Sequence, residues 1–354
     1  MNFKKSVHNI PEGGRKMKKP LRTLFYGLTH EHAFGKLETL SGMRDTFEIV
    51  AVVDDRATAT RPVFVDHPAG VDGLPVVSAE EALARDDFDV AFVETTNADL
   101  MSVAAKLADR GIPMHCDKPC GESMEAYRAI VEICRARNLP FQIGYMYRGN
   151  PALKFAWNAV RSGWLGEIAF IEADMNHNYQ MEGYAEYVSS FMGGILYNLG
   201  CHLVDMVLPM VRGRLLSARP MIGDAPGDPL DSRTNGSSLL AFEGTQVLIR
   251  ASSHMPGGID CRRLRVDGTN GTLEIRPIEC FDGRNLMLEM TLGRPAGGYG
   301  AGRAIVDFGV LVDRYRDQLE DLARIVRGDK PNDQDYDRDL RVHEVTLRMC
   351  GIAC

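Results

Sequence analysis

The segment from Gly193 to Asp205 combines a pair of glycines with polar side chains at regular spacing. Asn198, His202 and Asp205 recur every three or four residues, the interval at which side chains of an α-helix share one edge. A histidine on such an edge can exchange a proton near neutral pH. The same spacing also suits a core helix whose polar groups bind their neighbours. The pattern therefore predicts either a catalytic edge or a buried support.

A lysine forms the second candidate motif, Asp117-Lys118-Pro119, which directly follows an apolar run. A residue in that place lies at the carboxyl edge of a parallel sheet, where open α/β sheets bind ligands. Lys118 could there polarise a substrate hydroxyl or act as a base. A solvated lysine in a turn is the alternative interpretation.

A third motif, His30-Glu31-His32, raises the question of a metal. Histidines two residues apart do not share a helical face, and the sequence offers no evident third ligand. We therefore expect no metal site, and interpret His30 and His32 as loop residues that contact phosphate or substrate.

The loop around this motif has the position of a dinucleotide-binding turn. A predicted strand ends at Gly27 and a helix is predicted to follow, so helix N–H groups would face a pyrophosphate. Thr29 and His32 stand where a G-x-G-x-x-G pattern would have glycine. Asp54 follows the next strand at about the distance expected of a carboxylate that binds ribose hydroxyls. The order of elements predicts a dinucleotide; another ligand of a doubly wound domain is the alternative.

The elements that must position these residues form two patterns. In the first part, over residues 21–148, apolar strands alternate with helices, which predicts a doubly wound parallel sheet in a domain that binds a dinucleotide. Ser78 and Glu81 have the spacing of a capping box at the start of one helix. The predicted strands are 21–26, 47–53, 75–77, 90–93, 113–116 and 141–145, and the longer helices are 34–40, 101–110 and 123–138.

The second part, residues 149–354, has successive strands joined by short turns, which predicts mostly antiparallel pairing. Residues 214–236 and 293–302 are rich in Gly, Pro and Asp and are predicted to be loops. The predicted strands are 168–176, 237–242, 246–252, 263–267, 272–276 and 285–292, and the predicted helices are 152–162, 312–327 and 337–350.

Composition restricts the class of protein. The 354 residues are 45% hydrophobic and 25% charged, with a net charge of −7, which argues against a general nucleic-acid or anionic-membrane surface. No apolar run approaches the roughly 20 residues that span a bilayer. The eight cysteines are scattered, which favours a cytoplasmic protein with reduced thiols. Residues 1–20 are basic and lack an apolar core, so we interpret them as a disordered leader rather than a secretory signal.

The motifs together resemble the glucose–fructose oxidoreductase / inositol dehydrogenase (Gfo/Idh/MocA) family. They occur in the family's order over about residues 21–350: the Gly27 loop, Asp54, Thr95-Thr96-Asn97, Asp117-Lys118-Pro119, and Gly193 to Asp205. The resemblance implies a Rossmann domain and a C-terminal α/β domain with a large mixed, mostly antiparallel open sheet. It also implies NAD or NADP, a sugar, cyclitol or polyol substrate, and a homodimer or homotetramer.

The resemblance also implies roles for individual residues. Its catalytic trio falls on Lys118, Asn198 and His202. The expected cofactor contacts are Gly27, Thr29, His30, His32, Asp54, Thr95, Asn97, Asp117 and Lys118. The expected substrate contacts are Tyr147, Arg148, His177, Asn198 and His202, with Asp205 as a support.

This chain departs from the family's pattern at four positions. Asp117 replaces a glutamate, Thr96 a proline, Leu100 a common histidine and Asn198 an aspartate. An amide can orient a hydroxyl but cannot accept its proton as a base. His202 or Lys118 must then take the proton, and His202 is favoured because its ordinary pKa is near neutrality.

Three functions are consistent with these residues. The first is an NAD(P)-dependent dehydrogenase acting on CH–OH groups, with NAD preferred because Asp54 repels a 2′-phosphate and NADP possible because Arg56 is near. The second is a glycosidase or lyase that oxidises a sugar carbon transiently, without net NADH. The third is a non-catalytic regulator that senses the nucleotide.

Overall fold

The computed structural model describes residues 18–65 and 71–353. All but the last three residues of the predicted leader, 1–20, lie outside this part. Among the described residues, no helix is long and apolar enough to cross a membrane.

The N-terminal part is a six-stranded parallel sheet in the order β3-β2-β1-β4-β5-β6, which confirms the predicted doubly wound topology. The order reverses beside β1, and a crevice at such a switch point is the usual ligand site of these sheets. The strands are β1 Leu21–Tyr26, β2 Phe47–Val53, β3 Val76–Val77, β4 Val90–Val93, β5 Met114–Cys116 and β6 Phe141–Ile143. The helices are α1 Ala33–Ser41, α2 Ala79–Ala84, α3 Asn97–Arg110 and α4 Met124–Ala136.

Local signals in the sequence explain several of these boundaries. The Ser78 hydroxyl accepts the Glu81 N–H at 3.1 Å and begins α2, as the capping pattern predicts. Gly111 has a left-handed φ of 74° and ends α3. That helix begins at Asn97, four residues before the predicted start, so Asn97 belongs to the first turn of α3 rather than to a loop.

The C-terminal part contains an eight-stranded sheet in the order β14-β13-β12-β11-β7-β10-β9-β8. Only β7 and β10 pair in parallel, so the predicted mixed, mostly antiparallel sheet is confirmed. The strands are β7 Ile168–Asn176, β8 Leu215–Gly223, β9 Asn235–Phe242, β10 Gln246–Ser252, β11 Arg263–Gly268, β12 Gly271–Ile275, β13 Asn285–Leu292 and β14 Gly302–Val310. The helices are α5 Pro151–Arg161, α6 Tyr184–Ser189, α7 Gly194–Asn198, α8 Gly200–Val207, α9 Arg316–Val326 and α10 Tyr336–Met349.

Two edges of this sheet differ from the sequence prediction. The predicted loop 214–236 contains β8, and β14 was not predicted, so both outer strands were missed. Both are largely exposed and lack the alternation of buried apolar residues that marks β13. The helix predicted over 312–327 begins only at Arg316, because the Asp313 carboxylate accepts the N–H groups of Tyr315 and Arg316 at 2.6 and 2.9 Å.

The Gly193–Asp205 segment forms two short helices rather than one. The helical run breaks at Leu199, between α7 and α8, and every residue of α8 is buried. A Cβ on Gly193 would lie 2.5 Å from the Cys350 sulfur, and one on Gly194 would lie 2.4 Å from the Arg233 Cβ. The paired glycines therefore allow the segment to enter the core, where it packs between the second sheet and α10.

Candidate active site

Gly27 brings the first loop against the end of β4. Its φ is +98°, and a Cβ there would lie 2.6 Å from the Thr95 backbone nitrogen. Only glycine combines this backbone conformation with this approach. The loop between β1 and α1 therefore crosses the carboxyl edge of the sheet, as predicted for a dinucleotide-binding turn.

Asp55, which sequence reasoning missed, fixes that loop from beneath. Its buried carboxylate accepts the Leu28 N–H at 2.7 Å, the Thr29 hydroxyl at 2.7 Å and the Thr95 hydroxyl at 2.6 Å. The hydroxyls of Thr29 and Thr95, two predicted cofactor contacts, thus donate to a carboxylate of the protein. The only signal in the sequence was a second acidic residue after β2.

Asp54 remains accessible at the carboxyl end of β2, where the ribose was expected. About a quarter of its side chain is exposed, and Arg56 donates to both carboxylate oxygens at 2.8 and 2.6 Å. These hydrogen bonds lower the pKa of Asp54, so the group is an anion at neutral pH. The site presents a carboxylate with a guanidinium held beside it.

The structure disagrees with the predicted cofactor contact of His30. The ring is buried, its Nε2–H donates to the Lys118 carbonyl at 2.9 Å, and its Nδ1 accepts the His32 N–H at 3.1 Å. Burial lowers the pKa of His30 to about 4, so the ring is neutral. His30 therefore shapes the loop and supports the backbone of Lys118.

Asp117 also differs from its predicted place at the cofactor. It is fully buried, and its carboxylate accepts from Lys36 at 2.6 Å and from the His32 Nδ1–H at 3.2 Å. Lys36 also donates to Glu94 at 2.5 Å. Lys36 and Glu94 were missed, although a lysine on the apolar face of a predicted helix is a recognisable signal. Asp117 thus belongs to an internal ion network beneath the loop.

The fold supplies the third potential metal ligand that the sequence lacked. Ligand atoms of His30, His32 and Asp117 lie within 4.8 Å of one another. Both ring nitrogens of His30 already bind protein groups, and Lys36 already places a cation on Asp117. The cluster is therefore organised as a hydrogen-bonded ion network around Lys36.

Lys118 lies at the meeting point of the two sheets' loops. Its buried ammonium donates to the Glu31 carboxylate at 2.7 Å and to the backbone and side-chain oxygens of Asn198 at 3.1 and 3.3 Å. The Asn198 amide in turn donates to the other Glu31 oxygen at 3.3 Å. Lys118 and Asn198 are thus brought together as predicted, and Glu31 is an additional member that sequence reasoning missed.

Electrostatics keep this pair charged. Burial opposes both charged forms, but the attraction between the two groups outweighs it, so the pKa of Glu31 falls below its ordinary value and that of Lys118 rises. At neutral pH the site holds an ammonium and a carboxylate in contact.

His202 lies beside this pair in a largely aromatic environment. Its ring centroid is 5.2 Å from that of Tyr147 and 6.1 Å from that of His32, and only 2% of the residue is exposed. Burial, and then the charge of Lys118, hold the pKa of His202 well below 6.5. The Nδ1 atom has no hydrogen-bond partner among the described residues. The imidazole is therefore neutral, with a free nitrogen.

Arg148 is not available to a substrate in the way predicted. Its guanidinium donates to Asp205 at 2.7 and 3.0 Å and to Asp339 at 2.6 Å. Arg338 also forms an ion pair with the Asp205 carboxylate at 3.0 Å and donates to the Asp205 backbone carbonyl at 3.0 Å. These contacts tie α8 to α10, which agrees with the expected supporting role of Asp205 and gives Arg148 the same role.

A cleft of about 750 Å³ opens in front of these groups. Glu31, His32 and His177 line it, whereas Lys118, Asn198 and His202 lie behind its wall. The His177 ring stacks on Tyr179 with 4.1 Å between centroids. The cleft is also lined by Phe34, Gly35, Glu38, Thr39, Gly42, Phe64, Ile259, Arg262, Phe281, Val312, Asp313, Arg314, Tyr315 and Arg316. Tyr147 stays beneath it, donating to Glu279 at 2.6 Å.

The first sheet retains features that fit a nicotinamide dinucleotide. Asn97 is 5% exposed, and neither its amide nitrogen nor its oxygen has a partner among the described residues. A buried amide without partners favours a polar ligand at that place. Asn97 lies at the N-terminus of α3, which follows β4. Strand β4 pairs with β1, the strand that leads into the Gly27 loop. The residues present therefore fit the cofactor.

Two protein-family models match the chain, together over more than half of its length. Residues 30–145 match the model described as oxidoreductase family, NAD-binding Rossmann fold. Residues 154–274 match the model described as GFO/IDH/MocA C-terminal domain. The first match covers Lys118 and the loop histidines, and the second covers Asn198 and His202.

Similar proteins agree with this assignment over most of the chain. The rhizopine catabolism protein MocA of Rhizobium meliloti is 23% identical, over 86% of this chain and 87% of that protein. The D-xylose 1-dehydrogenase (NADP(+)) 2 of Haloferax volcanii is 25% identical, over 87% and 91%. Among solved structures, the UDP-N-acetylglucosamine 3-dehydrogenase GnnA of Acidithiobacillus ferrooxidans has the same fold, with a TM-score of 0.72 at 17% identity over 94% and 98% of the two chains.

Proposed function

The chain belongs to the Gfo/Idh/MocA family of NAD-binding oxidoreductases, and from this premise we propose that it oxidises or reduces a CH–OH group of a sugar or polyol. The observation that carries the proposal is the convergence of the Lys118 ammonium and a neutral His202 behind one cleft. Relatives named as acting on sugars support the substrate class. A cytoplasmic homodimer or homotetramer stays a prediction.

Bound NAD or NADP would supply the hydride acceptor or donor. Asp54 and Asn97 would hold it, with the backbone of the Gly27 loop beneath it. We retain NAD as the preferred cofactor because Asp54 carries a negative charge next to the predicted ribose site. Arg56, already bound to Asp54, is the residue that could favour a 2′-phosphate.

Lys118 binds the oxygen of the reacting carbon in this proposal. The three N–H donors of the ammonium bind Glu31 and Asn198, so a substrate hydroxyl takes the place of one of these acceptors. Negative charge that develops on this oxygen during oxidation is stabilised by the ammonium in a buried, low-dielectric site. Lys118 stays protonated in this role because its pKa is raised.

His202 accepts the hydroxyl proton. Its depressed pKa keeps the imidazole unprotonated at neutral pH, and no described residue binds its Nδ1. Asn198 remains a neutral orienting group, because it donates to one neighbour and accepts from another. Glu31 supplies the carboxylate that keeps Lys118 protonated and holds its ammonium in place.

A second candidate is a glycosidase or lyase that uses transient oxidation. The neutral Asn198 amide at the position of the family's aspartate is the feature that raises this candidate, because it cannot accept the hydroxyl proton of the usual reaction. A non-catalytic regulator is less well supported, since Lys118 and His202 converge on one cleft.

One experiment separates these candidates. The purified protein is incubated with NAD and a panel of aldoses, polyols and glycosides, and NADH absorbance is followed while the products are analysed. A dehydrogenase forms NADH in equal amount to an oxidised product. Bond cleavage without net NADH would replace the proposal by the second candidate, and NAD binding without any turnover would favour the regulator.

A further inference from the structure

A second group of buried charges lies in the inner wall of the cleft, apart from Glu31 and Lys118. The Glu279 carboxylate accepts from Arg262, and it is the only carboxylate of the described residues within ion-pair distance of Arg314, at 3.3 Å. Tyr147 donates to the same carboxylate oxygen at 2.6 Å. One carboxylate therefore serves two guanidinium groups.

This group carries an excess positive charge. The side chains of Glu279 and Arg262 are each 2% exposed, so bulk solvent does not screen the excess positive charge around them. The pKa of Glu279 is lowered: the effect of the two arginines outweighs that of burial, so the carboxylate is already ionised and cannot contribute further charge. Burying an uncompensated cation costs free energy, and proteins retain one where a ligand supplies the counter-charge.

The unpaired part of this charge faces the cleft. Arg314 and Arg262 both line the cavity, and about a quarter of the Arg314 side chain is exposed there. The guanidinium of Arg314 lies over the Phe281 ring at 4.9 Å, which fixes its plane and leaves donors free. Arg262, in contrast, uses its donors on Glu279, His177 and the Asn176 carbonyl.

Other acidic groups of the cleft do not neutralise Arg314. The Glu31 carboxylate is bound to Lys118. The adjacent Asp313 is directed toward α1, where it accepts from Thr39 at 2.9 Å and from the Tyr315 and Arg316 amides. Glu38, on α1, forms no ion pair with Arg314 either, so among the described residues no acidic group of the cleft lining occupies the donors of Arg314.

This charge lies close to the proposed reaction centre. The Tyr147 hydroxyl binds Glu279, while its ring lies 5.2 Å from that of His202. His177 contacts Arg262 at 3.0 Å and lines the same cavity as Glu31. Arg262, Arg314 and the Lys118-bound Glu31 thus line one cavity.

We propose that the substrate of this site is an anionic sugar derivative, a polyhydroxy compound with a carboxylate or phosphate group that Arg314 binds. A guanidinium recognises both kinds of anion through paired hydrogen bonds, so the shared chemistry is an oxyanion attached to a polyol. The inference rests on the proposed function only for the sugar part; the anion site stands on the charges of Arg262, Arg314 and Glu279.

The test measures binding rather than turnover, so that its failure is distinct from failure of the proposed activity. Calorimetric titrations of the NAD-saturated protein compare D-gluconate, D-glucuronate and D-glucose 6-phosphate with D-glucose and D-xylose. We expect at least one anionic probe to bind about tenfold or more tightly than its neutral counterpart, the value of one charge-assisted contact. Gluconate and glucuronate distinguish a carboxylate site from the phosphate site that glucose 6-phosphate reports.

Variants test whether Arg314 is the residue that binds the anionic probe. Arg314→Gln should reduce the affinity for the anionic probe to that of the neutral sugar and leave neutral binding unchanged, and Arg314→Lys should retain part of it. The control is Arg316→Gln, because Arg316 also lines the cleft but pairs with Glu320 at 3.4 Å on the exposed side of α9. Equal binding of anionic and neutral probes, equal loss of both in Arg314→Gln, or no binding of any anionic probe would overturn the inference.

Discussion

The Glu31 carboxylate lies 2.7 Å from the Lys118 ammonium, and the two residues come from different strand ends of the first sheet. Glu31 lines the cleft, whereas Lys118 is buried behind it. A substrate oxygen can therefore reach Lys118 only beside Glu31. This contact makes Glu31 a positioning residue whose charge sets the protonation of Lys118.

Glu31→Gln tests that contact. Loss of the carboxylate removes the interaction that raises the pKa of Lys118, while burial continues to lower it. Turnover should fall by about tenfold or more, and an alkaline limb should appear in the pH–rate profile at lower pH than in the wild type. Glu38→Gln is the matched control, because Glu38 also lines the cleft and lies on α1 away from Lys118. An unchanged pH profile in Glu31→Gln would exclude this role.

The wild-type pH profile follows from two opposite shifts. The pKa of His202 is lowered, so its proton-accepting form is present at neutral pH and is lost only as the pH falls below 6.5. The pKa of Lys118 is raised, so its ammonium persists above 10.5. We expect kcat/KM for oxidation, measured against pH, to stay level between these limits. An acid limb centred near neutrality would show that His202 titrates normally.

Cofactor choice depends on Asp54 and Arg56. Asp54→Ser removes the carboxylate that holds Arg56 at 2.8 and 2.6 Å and frees its guanidinium for a 2′-phosphate. We predict that the variant loses about tenfold in NAD affinity and gains for NADP, measured by calorimetry. If the double variant Asp54→Ser/Arg56→Gln no longer shows the increased affinity for NADP, that increase depends on Arg56. Tighter binding of NADP than NAD by the wild type would contradict this account.

The Lys36 network is predicted to stabilise the fold. Lys36→Met leaves the buried Asp117 and Glu94 carboxyls without their cation, which should reduce the free energy of unfolding by about 3–5 kcal/mol. The measurement is urea unfolding without cofactor. Lys106→Met, on the exposed side of α3, should change it by less than about 0.5 kcal/mol. Equal effects of the two substitutions would show that the network contributes nothing.

The fold was largely predictable because its signals are local. Apolar strands alternating with helices indicated the parallel sheet, and Ser78 and Gly111 mark helix ends by their own chemistry. The outer strands β8 and β14 were missed because they are exposed and bury no regular face. The close approach of Gly193 to Cys350 and of Gly194 to Arg233 joins residues distant in sequence, which periodicity does not encode.

The site was predictable only in part, for a related reason. Lys118, Asn198 and His202 could be singled out as candidates because each belongs to a motif with fixed spacing. Glu31 and Asp55 stood next to residues singled out in the sequence, but which of several adjacent polar side chains turns inward is decided by tertiary packing. Arg262, Glu279 and Arg314 come from separate parts of the chain, so their convergence appears only in the folded structure.

In the proposed reaction, His202 accepts the proton during oxidation of a substrate hydroxyl. The most direct measurement compares the rate of NADH formation and the affinity for NAD in the wild type and in His202→Ala, with whichever sugar or sugar acid the wild type oxidises. We predict that turnover falls by about a hundredfold or more while the affinity for NAD stays within about twofold. Turnover of His202→Ala near that of the wild type would contradict it.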